Sequence, residues 1–278
     1  MVTTRTRKAV PPPADGRTGL GKALSLYSSY GWRGRIGLIS PSTNTTLEPE
    51  FWRMAPEGVS IHVARVHQAG RQGDPASYRR MADGIADAAM LLATAEVDVI
   101  TFGCTSCTLF VPADEIRRAM ADKGGCPPVL VADAVLDALN AIGARRVAVV
   151  GPRTDLVTRK EVQYIADSGF EVVGSSCLGL GATEEERRYI GRVPAESIVR
   201  LALRADTPEA EAIFVSCTQL ATLGLIEQLE AELGKPVITS NQACFWRCLR
   251  AIGYNLPIAG FGALLANGTR LLPRANDA

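Results

Sequence analysis

The amino-acid sequence predicts an α/β protein with two pseudo-symmetric lobes, each built on a parallel sheet, and a ligand site between them. Three observations lead to this fold class. Short apolar runs typical of buried strands alternate with helix-like segments from Gly34 onward. This alternation begins again near residue 144. A Cys-Thr dipeptide follows a strand-like run once in each half, at Cys104 and at Cys217. Strands that alternate with helices form parallel sheets covered by helices on both faces.

The first half contains four runs of apolar and β-branched residues that we expect to form strands. They span residues 35–39, 59–66, 97–102 and 128–131. Helices are expected where apolar residues recur at helical spacing, and one of these helices begins at a proline. They span residues 77–96, 112–122 and 133–142. This order of strands and helices is typical of a parallel sheet, whose strands need long crossover connections.

The second half repeats the same order. Its expected strands span residues 146–150, 170–173, 212–215 and 236–239. Its expected helices span residues 156–168, 183–190, 195–205, 223–233 and 241–252. The first 17 residues instead combine basic residues and prolines with almost no apolar periodicity, which is typical of a loosely held terminus. We therefore expect a flexible tail over 1–33, a first lobe over 34–143 that C-terminal residues can rejoin, a second lobe over 144–255 and a C-terminal segment over 256–278.

Composition narrows the class of protein. The 278 residues are 47% hydrophobic and 21% charged, as in an ordinary soluble domain, and the net charge of +1 gives no electrostatic reason to expect nucleic acid or an acidic membrane as a partner. No apolar stretch approaches the roughly 20 residues of a membrane span, and no secretory signal is present. Seven cysteines and two histidines show no zinc-ligand spacing, so we expect no metal, reduced thiols and a cytoplasmic location.

The two Cys-Thr sites are the strongest functional signal in the chain. A cysteine at the carboxyl end of a parallel strand lies where α/β proteins bind ligands. Backbone N–H groups and the positive end of a following helix favour the reactive thiolate there. A single buried cysteine is more often structural, but the repetition at Cys104 and Cys217 favours chemistry. Cys107 completes one Cys-x-x-Cys match with Cys104, which is weak evidence for a redox pair.

Five segments resemble maleate cis-trans isomerases of the aspartate/glutamate racemase superfamily, which also includes hydantoin racemases and arylmalonate decarboxylases. In this chain they read RIGLISPSTNTTLE at 35–48, FGCTS at 102–106, IGRV at 190–193, SCT at 216–218 and SNQA at 240–243. All five occur in the family's order between residues 35 and 252. The resemblance implies two similar lobes with the active site between them, and neither cofactor nor metal.

The resemblance also implies roles for the two cysteines. In the isomerases, the cysteine matching Cys104 attacks the alkene carbon, and the succinyl-type adduct rotates about what is then a single bond. The cysteine matching Cys217 supplies or removes the proton. In the racemases the same two positions act as opposed acid and base, whereas the decarboxylases keep only the cysteine that matches Cys217.

Substrate-binding candidates follow from the chemistry of such a reaction. The enediolate that develops beside a carboxylate needs several hydrogen-bond donors. Polar side chains beside the strand ends could supply them: Asn44, Thr45, Thr46, Thr105, Ser106, Thr218 and Asn241. Such residues are also common helix caps. We favour the cap for Ser42 and Thr158 and ligand binding for Asn44.

Two arginines depart from the pattern of the isomerases. Arg153 stands where the family usually carries a tyrosine, and Arg187 stands where it tends to carry an asparagine. An arginine after a parallel strand is expected on the rim of the cleft, where it could bind an extra or differently placed carboxylate through two hydrogen bonds. The alternative is that each arginine is a solvated surface charge. For Arg153 we weigh this alternative equally with carboxylate binding, and for Arg187 we favour it.

These observations leave several functions open. The leading hypothesis is a cofactor-independent isomerase of maleate or a related unsaturated dicarboxylate, acting as a homodimer or larger homo-oligomer on a small carboxylate substrate. The alternatives are a two-cysteine racemase or epimerase of an amino-acid-like or hydantoin substrate, a malonate-type decarboxylase, and a non-catalytic binding protein. Two thiols count against the last two alternatives, because neither requires both.

Overall fold

The computed structural model describes residues 30–267 and contains two parallel four-stranded sheets. The first sheet has the order β2-β1-β3-β4 and comprises β1 (Gly34–Pro41), β2 (Val59–Val66), β3 (Val99–Phe102) and β4 (Pro128–Leu130). The second has the order β6-β5-β7-β8 and comprises β5 (Arg146–Arg153), β6 (Glu171–Leu180), β7 (Ala212–Val215) and β8 (Val237–Thr239). The same strand order in both sheets confirms the predicted fold class.

Helices connect the strands of each sheet. In the first half they are α1 (Leu47–Met54), α2 (Pro75–Asp83), α3 (Ile85–Thr94), α4 (Ala113–Gly124) and α5 (Val131–Ala141). In the second half they are α6 (Asp155–Asp167), α7 (Glu184–Tyr189), α8 (Ala195–Ala205), α9 (Ile226–Leu233), α10 (Ser240–Ala251) and α11 (Ala263–Ala266). Within the described residues, no helix is long and apolar enough to cross a membrane.

Three expected elements differ most from the structure in their number, type or bounds. The helix expected over 77–96 is two helices, because Gly84 separates α2 from α3 and glycine disfavours the helix interior. The helix expected over 223–233 opens with a 3₁₀ turn, Leu223–Leu225, before α9. The strand expected over 170–173 continues to Leu180. Residues 1–29 of the predicted tail and residues 268–278 of the C-terminal segment lie outside the described part of the chain.

The register of the sheets places both cysteines at equivalent strand ends. The first strand of each sheet is central, and Ile36 pairs with Val99 in one sheet as Val147 pairs with Ala212 in the other. Parallel strands all end at the same edge of their sheet. The residues that follow β1 and β3 therefore meet at one edge, and those that follow β5 and β7 meet at another.

The two halves share a core. Helix α5 of the first half packs against α10 of the second, α5 also contacts β8, and α10 contacts α1, β3 and β4. One continuous cluster of buried apolar side chains includes Leu38 from the first sheet, Val149 from the second and Trp246 from α10. A second cluster, with Ile100 and Met120, lies under α3 and α4. The halves are thus packed as one body around α5 and α10.

A buried carboxylate links the halves near the strand ends. Glu50 on α1 accepts hydrogen bonds from the backbone N–H groups of Thr222, at 2.8 Å, and Leu223, at 2.9 Å. Its second oxygen accepts from Asn241 Nδ2 at 2.6 Å. Burial raises the pKa of Glu50 above its ordinary value, against the lowering effect of these three donors. We call Glu50 with these three donors the Glu50 bracket.

Glu50→Ala should lower the free energy of unfolding by about 3 kcal/mol or more, because three buried donors would lose their acceptor. Glu57→Ala is the control, since Glu57 is exposed and its removal should change stability by less than about 0.5 kcal/mol. Urea denaturation of both variants measures the difference. Equal changes in the two variants would show that the Glu50 bracket does not stabilise the fold.

Candidate active site

A cleft of about 280 Å³ lies between the carboxyl ends of the two sheets. This volume includes space that is open to solvent, so the enclosed part is smaller and has room only for a substrate with few non-hydrogen atoms. Both halves contribute to its walls, which are formed by Pro41, Asn44, Gln68, Gln72, Cys104, Thr105, Ser106, Arg153, Cys217, Thr218 and Gln219. The structure therefore brings both predicted cysteines into one site.

The two cysteines occupy matching places and are nearly buried. Cys104 follows the end of β3 at Phe102, and Cys217 follows the end of β7 at Val215. Their exposed fractions are 7% and 6%. Cys217 has a φ of 111°, which L-residues rarely adopt and which typically costs about 1–3 kcal/mol. Its backbone N–H donates to Ser240 Oγ at 3.0 Å, and this bond helps to hold the strained turn.

Burial raises the pKa of the Cys104 thiol, while the charge of Arg153 and the backbone N–H of Cys107 lower it and the nearby Cys217 raises it. Because burial is the largest of these effects, the resting thiol is protonated near neutral pH. The expectation that a helix dipole favours the thiolate is wrong for this cysteine. The segment after it forms a three-residue 3₁₀ turn, Cys107–Leu109, whose dipole is small.

Asn44 joins the loops of the two sheets. Its Oδ1 accepts from the backbone N–H groups of Thr46, at 2.9 Å, and Leu47, at 3.0 Å, at the start of α1. Its Nδ2 donates to Thr218 Oγ1 at 3.1 Å, and that hydroxyl donates to the carbonyl of Gly103 at 2.9 Å. Asn44 thus accepts hydrogen bonds at the start of a helix and also lines the cleft, and its binding of a ligand stays a prediction.

The two cysteine loops are also connected through Ser240. Thr105 Oγ1 donates to Ser240 Oγ at 3.1 Å, and the same Ser240 oxygen accepts from the N–H of Cys217. Ser106 is buried beside Thr105 and lines the cleft. These bonds fix the position of one cysteine loop relative to the other.

Three of the predicted substrate-binding residues, Thr45, Thr46 and Asn241, do not line the cleft. Thr45 is exposed, whereas the neighbouring Thr46 is buried and donates to the carbonyl of Gln219 at 3.0 Å. Asn241 is buried behind the cleft wall, where its Nδ2 donates to Glu50 and, at 3.1 Å, to the carbonyl of Thr218. The structure therefore places Asn241 in contact with the site through Thr218.

Neither Ser42 nor Thr158 caps a helix, so that expectation is wrong for both. Ser42 Oγ accepts from the backbone N–H of Gln68 at 3.0 Å and so links the loops that follow β1 and β2. Thr158 lies inside α6, where its hydroxyl donates to the carbonyl of Thr154 at 3.1 Å. In both cases the hydroxyl bonds to a backbone group, which is a local partner only for Thr158.

Arg153 lies inside the site and not on its rim, and it is only 2% exposed. Its Nη1 donates to Glu161 Oε2 at 3.0 Å and to Ser216 Oγ at 2.8 Å, and Ser216 donates to the other oxygen of Glu161. Burial alone would lower the pKa of Arg153, but the attraction of Glu161 raises it above its ordinary value. The carboxylate that we expected to come from a substrate is thus supplied in part by the protein itself.

The expectation of a surface charge is also wrong for Arg187. It is 1% exposed on α7, and its Nη1 donates to the carbonyl of Ala69 at 3.2 Å. Arg187 is buried because α7 packs against the loop that follows β2. In this contact Gly70 N–H donates to Glu184 Oε2 at 3.0 Å and Gln72 N–H donates to the carbonyl of Gly181 at 2.9 Å.

Three glutamines that line the cleft were not predicted from the sequence. Gln68 and Gln72 lie in the loop after β2, and Gln219 follows Thr218. Gln72 Oε1 accepts from Tyr78 Oη at 2.5 Å. Gly181 packs so tightly on this loop that a Cβ there would lie 2.4 Å from Gln72 Cγ. The position of Gln68 just after a parallel strand was a usable signal.

Comparison with known proteins decides the family. Residues 36–265 match the model of the arylmalonate decarboxylase family. The chain belongs to this family. It is 30% identical over 249 residues to the maleate isomerase of Nocardia farcinica, covering 83% of this chain and 95% of that protein. It is 31% identical over 184 residues to the arylmalonate decarboxylase of Bordetella bronchiseptica, covering 64% of this chain and 75% of that enzyme.

Solved structures of family members have the same fold. A cysteine-to-alanine variant of the maleate isomerase Iso from Pseudomonas putida S16, solved with maleate, has a TM-score of 0.76 at 26% identity, over 85% of this chain and 99% of that one. A cysteine-to-serine variant of the Nocardia farcinica isomerase with a covalently bound succinylcysteine intermediate also has a TM-score of 0.76 at 26% identity, over 84% and 98% of the two chains. The resemblance to the aspartate/glutamate racemase superfamily is confirmed.

Arg153→Tyr should lower the free energy of unfolding by about 3–5 kcal/mol, because it leaves Glu161 buried without its counter-ion. Adding Glu161→Gln should restore part of this loss, since the uncompensated charge is then removed. Arg159→Tyr is the matched control, because Arg159 lies on the same helix as Glu161 with an exposed side chain. Chemical denaturation of the three variants would refute the coupling if Arg153→Tyr and Arg159→Tyr behaved alike.

Proposed function

We propose that this chain is a cofactor-independent cis-trans isomerase that acts on maleate or a related unsaturated dicarboxylate through a covalent cysteine adduct. The observation that carries the proposal is the placement of Cys104 and Cys217 at equivalent strand ends around one small cleft. The chain's similarity to maleate isomerases along nearly their whole length supports it. So does the covalent succinylcysteine in the solved Nocardia farcinica variant.

The first half of the reaction forms the adduct. Cys104 first loses its thiol proton to solvent, and its thiolate sulfur then attacks one alkene carbon of the substrate. The electron pair of the double bond moves to the other alkene carbon and is shared with the adjacent carboxylate as an enediolate. Cys217 then transfers its thiol proton to that carbon. The two carbons are now joined by a single bond, about which the adduct rotates.

The second half reverses these steps in the rotated adduct. The Cys217 thiolate removes a proton from the carbon that it protonated, the double bond forms again, and the carbon–sulfur bond breaks. Cys104 leaves as a thiolate and the trans isomer is released. Cys217 has then regained its thiol proton and Cys104 recovers one from solvent, so the cycle requires no oxidant, reductant or second substrate.

The polar groups of the cleft fit the charge that develops during this cycle. The hydroxyl of Ser106 and the second Nδ2 hydrogen of Asn44 can donate to the carboxylate whose enediolate forms, while Thr105 and Thr218 can do so only by giving up their bonds to Ser240 and Gly103. The charge of Arg153 lowers the pKa of Cys104 and so favours the attacking thiolate. Because both thiols are nearly buried, bulk water is kept from the carbanion, and proton transfer is left to Cys217.

One observation favours a second function. The family model and the similarity to the Bordetella bronchiseptica enzyme both name arylmalonate decarboxylase. That reaction replaces a carboxylate with a proton and needs one acidic thiol, whereas this site holds two thiols. A racemase would use both thiols without a carbon–sulfur bond. Release of carbon dioxide from an arylmalonate, or solvent deuterium at the α-carbon of an amino acid, would identify these reactions.

We propose further that the protein is a cytoplasmic homo-oligomer. All seven cysteines are free thiols, as is usual in a reducing compartment. Trp32 and Trp52 each expose about half of their surface, and exposed aromatic side chains are common where protein surfaces associate.

Cys104→Ala and Cys217→Ala should each reduce the conversion of maleate to fumarate at least about 10³-fold, since each removes a group that bonds to or exchanges a proton with the substrate. Cys126→Ala is the control, because Cys126 lies in a loop away from the cleft. Fumarate formation is followed by NMR, and unfolding temperatures confirm that the variants fold. Near-normal activity in either active-site variant would refute the two-cysteine mechanism.

A further inference from the structure

Arg187 has two buried donor atoms for which residues 30–267 offer no acceptor. Its Nη1 donates to the carbonyl of Ala69, but Nε and Nη2 are both buried and have no hydrogen-bond partner. Among the described residues, no carboxylate lies within 4.0 Å of this guanidinium, whereas Arg153 is paired with Glu161. A buried cation without a counter-ion normally costs several kcal/mol, so its presence calls for an explanation.

The acidic residues nearest in sequence are all engaged elsewhere. Glu184 accepts from the N–H of Gly70 and from Arg188. Glu186 accepts from the N–H groups of Gly181 and Ala182, and Glu185 accepts from Tyr189. The counter-ion of Arg187 is therefore not one of the carboxylates on its own helix.

The two unpartnered nitrogens form one edge of the guanidinium plane. The N–H bonds of Nε and Nη2 on that edge are nearly parallel, and their spacing matches the two oxygens of a carboxylate. The bond from Nη1 to Ala69 fixes the rotation of the plane. The edge is thus preorganised for an anion with two oxygens.

The guanidinium lies directly behind residues of the cleft wall. Ala69, which accepts from Nη1, directly follows Gln68, which lines the cleft. Gln219, another lining residue, donates from Nε2 to the backbone carbonyl of Arg187 at 3.4 Å. Burial lowers the pKa of Arg187, while the ionised forms of Tyr78 and Cys104 and the more distant carboxylate of Glu184 would raise it, so the guanidinium lies within electrostatic range of the attacking thiol.

We propose that Arg187 determines specificity by binding a carboxylate group of the substrate through its Nε–Nη2 edge. The substrate is then an acid whose second carboxylate is held by the hydroxyl and amide donors beside the cysteines. An ester or amide in place of the carboxylate at the Arg187 end would leave the cation buried and unpaired. Only the identification of this ligand as an isomerisation substrate rests on the proposed function.

The test is a binding measurement that requires no turnover. Succinate, a saturated dicarboxylate without the reactive double bond, is titrated calorimetrically into the full-length chain. Arg187→Gln should weaken succinate binding about 10- to 100-fold, the scale of a charge-assisted bidentate hydrogen bond, and Arg187→Lys should fall between the two because it keeps only the charge. Arg188→Gln is the matched control: it removes the same charge from an exposed neighbour and should change affinity less than twofold.

Thermal unfolding without ligand separates binding from a structural role. Arg187→Gln should be at least as stable as the wild type, because it removes an unpaired buried charge. Unchanged succinate affinity in Arg187→Gln, equal weakening in Arg188→Gln, or no succinate binding by the wild type would each overturn the proposal. Arg187-dependent binding without maleate turnover would keep the proposal and reject the isomerase. If Arg187→Gln converted maleate with an unchanged KM, the isomerase would be supported and the proposal for Arg187 would be rejected.

Discussion

Buried hydrogen bonds between the strand-end loops of the two sheets are the constraint on which the site depends. Apolar packing of α5 against α10 holds the halves together, but such packing is not directional. The Glu50 bracket, the contact of Asn44 with Thr218, and the contacts of Ser240 with Thr105 and Cys217 are directional and buried. A displacement of about 1 Å between reacting groups can reduce a rate 100-fold, so these bonds determine whether the two thiols act on one substrate.

Because the cleft residues are buried, the charged groups among them need partners of opposite charge. In a nearly dry site each charge needs a partner, and the protein provides one for Arg153 in Glu161 but none for Arg187. Burial also keeps Cys104 protonated in the resting protein. When an anionic substrate binds, its carboxylate would supply the missing partner of Arg187. The hydrogen-bond donors beside the cysteines would then lie against the rest of the substrate. Burial thus explains both why the resting Cys104 thiol is unreactive and why the site favours an anionic substrate.

Much of the fold could be predicted because it depends on local patterns. Apolar runs located all eight described strands, and the bounds of β2, β7 and α8 agree residue for residue with those expected. The repeated Cys-Thr dipeptide identified both thiols, since its meaning depends only on where a parallel strand ends. Gly84 was misjudged because apolar spacing continues across it from α2 into α3.

The parts that could not be predicted depend on contacts between distant segments. Glu50 and Glu161 occupy helix positions where a carboxylate is usually solvated, and their burial follows from partners 172 and 55 residues away. Arg187 lies in a run of charged residues that is typical of an exposed helix, and only the packing of α7 on the loop after β2 buries it. The sequence shows that a side chain is charged, but only the folded structure shows which groups lie against it.

The central claim is that the Cys104 sulfur bonds to the substrate while Cys217 handles the proton. The most direct measurement is peptide mass mapping of Cys217→Ser after incubation with maleate, because a serine hydroxyl can slowly pass a proton to the strongly basic enediolate but is too weak a base to remove it again. The account predicts a succinyl group on the peptide that contains Cys104 and none on the other cysteine-containing peptides. An unmodified Cys104, or a succinyl group confined to another cysteine, would contradict it.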